Sequence, residues 1–121
     1  MKTLIIIAHG SRREESNIEV KELTEKVKGL ADSEYDYIAH AYLEMAEPSL
    51  TQAIDNCINN GAKNITVFPY FLNSGKHLKR DIPEIIIASE KKYPDCIFRV
   101  TACIGMIEDM PRLILEQARS N

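Results

Sequence analysis

Thr3-Leu4-Ile5-Ile6-Ile7-Ala8, followed at once by His9-Gly10-Ser11-Arg12, is the stretch that decides the fold. The first part is nearly continuous in apolar residues. A strand with one solvated face alternates apolar and polar residues, whereas a strand covered on both faces of a parallel sheet does not. The run therefore predicts a buried strand, and its polar, chemistry-bearing residues begin where the strand stops.

Working outward, the same grammar recurs. Ser16-Asn17 can cap a helix that follows, with apolar residues at Ile18, Leu23, Val27 and Leu30, and Asp32-Ser33 breaks it. Tyr35 to Leu43 reads as a second strand. Pro48 is expected in the first turn of a second helix, whose stripe Leu50, Ala53, Ile54, Cys57 and Ile58 has helical period and whose end is the pair Asn60-Gly61. Asn64 to Tyr70 is a third strand, followed by the polar loop Asn73-Ser74-Gly75-Lys76-His77. A third helix runs from about Leu78 to Lys92 with Pro83 in its first turn and Ile82, Ile85, Ile86 and Ser89 on one face. Cys96 to Cys103 is a fourth strand, and Glu108 to Arg119 a last helix.

Strands alternating with helices imply right-handed crossovers and a parallel sheet. The expectation for residues 1–121 is a single doubly wound three-layer α/β/α domain, with a four-stranded parallel sheet in the order 2-1-3-4. Ligands in such folds bind outside the carboxyl ends of the strands, where the order reverses between strands 1 and 3.

Composition narrows the function classes. Apolar residues make up 45% and charged residues 27%, which excludes collagen-like, disordered and disulfide-scaffold chains. Fifteen Lys+Arg against 18 Asp+Glu give a net charge of −3, without the basic excess of a nucleic-acid binder. No segment approaches the roughly 20 apolar residues of a membrane span. The apolar run at the N-terminus is shorter than a signal-peptide core, and the expected location is cytoplasmic. Cys57, Cys96 and Cys103 have no C-x-x-C spacing and are most simply core residues.

The polar residues at strand ends form a pattern. His9 follows strand 1, Glu44 follows strand 2, and His77 lies in the loop after strand 3. In the order 2-1-3-4 these strands are neighbours, about 4.8 Å apart. Two imidazoles and a carboxylate can then face one crevice, a sensible ligand set for a divalent transition metal. The plain alternative is that each is a hydrogen-bonded loop residue. His40, within strand 2, is expected to pack. Five cations, Arg12, Arg13, Lys76, Lys79 and Arg80, share this rim, partly offset by Glu14, Glu15 and Asp81. They are either a solvated surface or, with Ser11, Ser74 and helix N-termini, an attractor for a polyanionic ligand. Gly10 and Gly75 flank the histidines, for turn geometry or for close approach of a ligand.

Three segments carry a resemblance: Leu4 to Arg12 with Asn17 beyond it, Tyr42-Leu43-Glu44-Met45-Ala46-Glu47-Pro48-Ser49-Leu50, and residues 67–83, VFPYFLNSGKHLKRDIP. In these the chain resembles the small class II chelatases of the CbiX type, which insert a metal into sirohydrochlorin. The resemblance implies a chelatase-like fold and a metal-handling pair, His9 and His77, with Glu44 as the acidic partner and Glu47 a weaker candidate. It also implies that the tetrapyrrole is held by residues such as Ser11, Arg12, Ser74, Gly75 and Lys76, that no organic cofactor is needed, and that short members pair as homodimers. The metal is expected to be cobalt, with nickel or iron as alternatives, in cobalamin- or siroheme-type biosynthesis. Leu43, Met45, Phe71 and Leu72 lie near the same strand ends and could face a macrocycle.

Rival readings have distinct requirements. A metal carrier or metallochaperone on the same fold would bind metal without turnover. A histidine phosphatase would want Arg before His9, where Ala8 stands. A receiver domain would want acidic residues where His9 stands. A nucleotide hydrolase would want a P-loop, which is absent.

Overall fold

The computed structural model describes residues 1–120, and position 77 by its backbone alone. The elements in chain order are β1 (Lys2–Ala8), α1 (Glu14–Leu30), β2 (Tyr37–Tyr42), α2 (Leu50–Asn59), β3 (Asn64–Pro69), a π-helical turn (His77–Asp81), α3 (Ile82–Lys92), β4 (Ile97–Val100), a 3-10 turn (Ile104–Met106) and α4 (Met110–Arg119). The strands form one parallel sheet in the order β2-β1-β3-β4, so the α/β architecture and strand order match the expectation. β1 is central, with Ile6 opposite His40 on one side and Phe68 on the other.

One face of the sheet is sealed. Ile5 and Ile7 of β1 and Ile65 and Val67 of β3 are fully buried against Leu50 and Ile54 of α2 and Ile82 of α3. Side chains alternate across a strand, so these odd positions share a face, and Leu4, Ile6, Thr66 and Phe68 point to the other. Cys57 and Cys103 are buried and Cys96 half-buried, and burial pushes the Cys57 thiol up to about 11. A thiol that stays protonated behaves as a small apolar side chain. α2 begins with a reciprocal cap. The Gln52 N–H donates to Ser49 Oγ at 3.1 Å, and the Ser49 N–H donates to Gln52 Oε1 at 2.8 Å. Such a cap contributes about 1 kcal/mol.

Several boundaries differ from the sequence reading, each for a local reason. α1 starts at Glu14, ahead of Ser16-Asn17, because Ser11 Oγ accepts from the Arg13 N–H at 3.0 Å and so turns the chain earlier. Its buried stripe is Asn17, Val20 and Thr24, while Ile18 and Leu30 are exposed. Pro48 precedes the Ser49 cap and is not in the first turn of α2. β2 starts at Tyr37, because Asp36 ties its own carboxylate to the Lys2 N–H at 2.7 Å before the ladder begins. β4 is an edge strand with a single neighbour and stops at Val100. The third helix is split, and Pro83 sits in the first turn of its α-helical part. No residue of α4 is buried.

Candidate functional site

The strand ends are joined beyond the strands themselves. Past Ala8 and Tyr42 the ladder continues, with the Leu43 N–H donating to the Ala8 carbonyl at 2.9 Å and the Glu44 N–H to the His9 carbonyl at 3.1 Å. His9 and Glu44 are therefore adjacent by backbone register before their side chains meet. Gly10 then takes φ +95°, which L side chains rarely adopt. A Cβ at this position would overlap the Glu44 carbonyl oxygen, so the two loops touch backbone to backbone.

On that frame His9 Nε2 lies 3.4 Å from Glu44 Oε2. Both side chains are close to half exposed (48% and 43%), so water screens the pair and it contributes about 0–1 kcal/mol to stability. Its value is positional. The His9 ring also meets Phe71 edge-on, at 6.3 Å between centroids. Phe71 packs on the sealed core, so the imidazole is aimed by a carboxylate on one side and an anchored aromatic on the other.

Asn17 supplies the clamp that the sequence reading took for a helix cap. From inside α1 its side chain accepts from the Ser11 N–H at 3.0 Å and donates to the Ser11 carbonyl at 2.8 Å. The Tyr42 hydroxyl donates to the Asn17 carbonyl at 2.6 Å. The His9-Gly10-Ser11 loop is thereby tied to both α1 and β2. The signal in the sequence was Asn17 itself, a polar residue on the stripe of a helix that has few apolar ones.

The third strand reaches the same rim differently. The Tyr70 N–H donates to the Ile7 carbonyl at 2.8 Å, and then the chain opens into a loop. Ser74 is half-buried, Gly75 and Lys76 are exposed, and His77 opens the π-helical turn. The side chain of His77 lies outside the described residues, so its predicted meeting with His9 and Glu44 remains an expectation. Among the described residues no three His, Cys, Asp or Glu side chains gather as a metal-binding group.

All five rim cations, Arg12, Arg13, Lys76, Lys79 and Arg80, are exposed, and Arg80 is engaged by Glu84 at 3.5 Å. Beside the His9–Glu44 pair, not over it, a cleft of about 310 Å³ is lined by Ser11, Arg12, Asn17, Lys21, His40 and Glu47. Glu47 thus belongs to the cleft, and Glu44 is the carboxylate that reaches His9. His40 stacks edge-on against Tyr42, and burial, aided by Lys21 and Lys28, lowers its pKa, which favours a neutral packing role. Met45 and Leu72 are exposed apolar residues at the strand ends (55% and 72%), whereas Leu43 and Phe71 pack on the core. Met45 holds φ +66°, a strained conformation for a residue with a side chain.

Comparison with known proteins follows this geometry. A family model described as CbiX matches residues 3–121. The sirohydrochlorin ferrochelatase, chloroplastic, of Arabidopsis thaliana is 36% identical over 102 residues, 84% of this chain and 44% of that protein. The sirohydrochlorin cobaltochelatase of Methanococcus maripaludis is 41% identical over 86 residues, 71% of this chain and 58% of that protein. The chain thus spans about half the length of these curated relatives. A crystal structure of a CbiX protein from Marinobacter aquaeolei superposes with a TM-score of 0.82 at 28% identity, covering 99% of this chain and 96% of that one.

Proposed function

The chain belongs to the CbiX family, and from that membership we propose that it inserts a divalent metal ion, cobalt foremost with nickel or iron as alternatives, into sirohydrochlorin. The observation that carries the reading is the His9–Glu44 pair, held at the ends of adjacent strands beside the loop that leads to His77. Relatives named for cobalt and for iron leave the choice of metal to supply and ligand exchange.

The overall step takes M²⁺ and a tetrapyrrole with two pyrrole N–H groups and releases the metallated ring and two protons. The metal is a substrate here, so the site must grip it briefly. Half-exposed imidazole and carboxylate ligands leave positions open for water and for the incoming ring nitrogens. His9 and His77 divide two tasks, replacing water on the metal and accepting ring protons near neutral pH. Glu44 offsets the metal charge and steadies the His9 ring. Arg12, Lys76 and Lys79, with Ser11, Ser74 and Gly75, meet the peripheral carboxylates of the macrocycle, while exposed Met45 and Leu72 meet its apolar plane. One chain supplies one wall, so the active form is a homodimer, and the reaction belongs in the cytoplasm.

The test is an absorbance assay with purified chain, sirohydrochlorin and Co²⁺, Ni²⁺ or Fe²⁺ in turn, read against the uncatalysed rate. His9→Ala and His77→Ala should each lower insertion by roughly 10²–10⁴-fold, the range for a positioned acid–base group. Parental rates in both variants would overturn the assignment. Metal binding without insertion in the parent would make the chain a carrier.

A further inference from the structure

The cleft beside the His9–Glu44 pair holds polar side chains that the insertion step leaves without a task. Its volume, about 310 Å³, is at the small end of ligand cavities, which run from about 300 to 1,000 Å³. A whole tetrapyrrole cannot enter it, but one side arm of such a ring can. Ser11 and Arg12 line it from the His9 loop and Met45 from the Glu44 loop, so it opens alongside the metal-handling pair. Lys21 of α1 and His40 of β2 complete it.

The charge of the cleft is mixed, because Glu14 and Glu47 also line it. His40 reports which sign prevails around its ring. Burial lowers its pKa first, and Lys21 and Lys28 lower it further. Glu25 acts the other way but is itself bridged to Lys28 at 2.8 Å. Glu14 acts on the neighbouring ring, where burial and then that carboxylate raise the Tyr42 pKa. A field that expels a proton from an imidazole also repels a divalent cation. His40 and Glu47 are therefore badly placed to hold a metal on its way to His9. Among the described residues no third His, Cys, Asp or Glu joins them as a metal-binding group.

The same field attracts an anion, and donors are at hand. Arg12 and Lys21 are exposed cations. A neutral imidazole still offers one N–H. The Ser11 hydroxyl accepts from the Arg13 N–H, which leaves its own proton to donate. His40 is also held in place. Its ring meets Tyr42 edge-on at 5.5 Å between centroids, and the Tyr42 hydroxyl is committed to the Asn17 carbonyl.

We propose that Arg12, Lys21 and His40 form a carboxylate site that seats one peripheral arm of the tetrapyrrole and so fixes the rotation of the ring over the His9–Glu44 pair. Such seating rests on the insertion reading above, which it deepens. A ring held only by its plane can turn about its own axis. One seated arm removes that freedom, and orientation of this kind is worth rate as well as affinity.

Titration of metal-free sirohydrochlorin into the full chain, read by absorbance, tests this apart from insertion. Lys21→Ala, on an exposed position, and His40→Phe should each raise the dissociation constant by roughly tenfold, the loss of one hydrogen bond to a charged group. His40→Gln, which keeps an N–H donor, should recover most of that loss. Lys63→Ala, just before β3 at the opposite ends of the strands, removes the same charge and should bind as the parent does. Should His40→Phe not fold by circular dichroism, Lys21→Glu takes its place. Excess propionate should shift the His40 ring resonances and weaken sirohydrochlorin binding in the parent. Parental affinity in both cleft variants, or an equal loss in Lys63→Ala, would overturn the proposal. Propionate that shifts His40 while the cleft variants bind sirohydrochlorin normally would make the occupant a free small carboxylate, which also overturns it. Cleft-dependent binding in a chain that inserts no metal would sink the chelatase reading and leave the site standing. Insertion at a Michaelis constant that neither variant changes would do the reverse.

Discussion

The two sides of the rim are built to different tolerances. On the β1–β2 side, His9 and Glu44 are zipped together by backbone bonds, Gly10 is pressed against the Glu44 carbonyl, and Asn17 fastens Ser11 from beneath. On the β3 side, Leu72, Asn73, Gly75 and Lys76 are exposed, and a Cβ at Gly75 would meet nothing within 4 Å. Both sides carry a histidine within two residues of a glycine, His9 with Gly10 and His77 with Gly75. The difference teaches that the two glycines serve opposite ends: one removes all play from a carboxylate–imidazole pair, while the other leaves a loop room to move. Under the proposed function, a metal delivered to a ring would call for a fixed grip and an approachable one, and the two sides of the rim differ in that sense.

The largest effect is expected at the tight side. Gly10→Ala forces a side chain into a φ of +95° and into the Glu44 carbonyl. Left-handed strain and steric overlap together should cost about 3 kcal/mol or more. Denaturant unfolding should show a lower midpoint at unchanged slope, with insertion lost in parallel. A cost below about 1 kcal/mol would show that the loops are not locked.

Asn17→Ala comes next. It strands the Ser11 N–H and carbonyl in a half-buried place, which should cost about 1–3 kcal/mol. Asn17→Asp keeps the acceptor and loses the donor, so it should fall between Asn17→Ala and the parent in unfolding midpoint. If Asn17→Ala matches the parent, the reciprocal bond does not hold the loop.

This contrast marks what the sequence could and could not show. The strand order and the sealed core follow from apolar runs and helical stripes, because burial of Ile5, Ile65 and Ile54 leaves a periodic trace. The approach of His9 to Glu44 was legible because each lies just past the end of a strand whose neighbour could be deduced. Asn17 was misassigned because Asn favours helix caps, and only the geometry shows its side chain bonded to both the N–H and the carbonyl of Ser11. The exposed face of α4 was hidden for a different reason: amphipathic spacing says that a helix has an apolar face, never which surface covers it. The π-helical turn at His77–Asp81 left no pattern at all, since its residues fit an ordinary helix start.

The rim charges probe both sides together. Arg12 stands on the tight side and Lys76 and Lys79 on the open one, all exposed. Contacts made equally to ground and transition states raise the Michaelis constant and leave turnover unchanged. Replacing all three with Ala should raise the constant for sirohydrochlorin by roughly tenfold, about 1.4 kcal/mol, and flatten its rise with salt. A constant that ignores salt in the parent would remove these residues from substrate binding.

The smallest effect is expected at Gly75, and it is the sharpest comparison with Gly10. The added methyl meets open space, and the backbone there is not in the left-handed region. Gly→Ala at such a site restricts the unfolded chain more than it disturbs the folded one, a gain of about 0.4–1 kcal/mol. Thermal unfolding of Gly75→Ala should thus match or slightly exceed the parent, opposite in sign to Gly10→Ala. Insertion then separates two uses of the freedom. Parental turnover means that the loop needs only space. Lower turnover at raised stability means that the chain near His77 must bend during delivery of the metal, a motion that Ala stiffens. A clear loss of stability would show that the β3 loop is as tightly packed as its counterpart, and the asymmetry between the two sides would be gone.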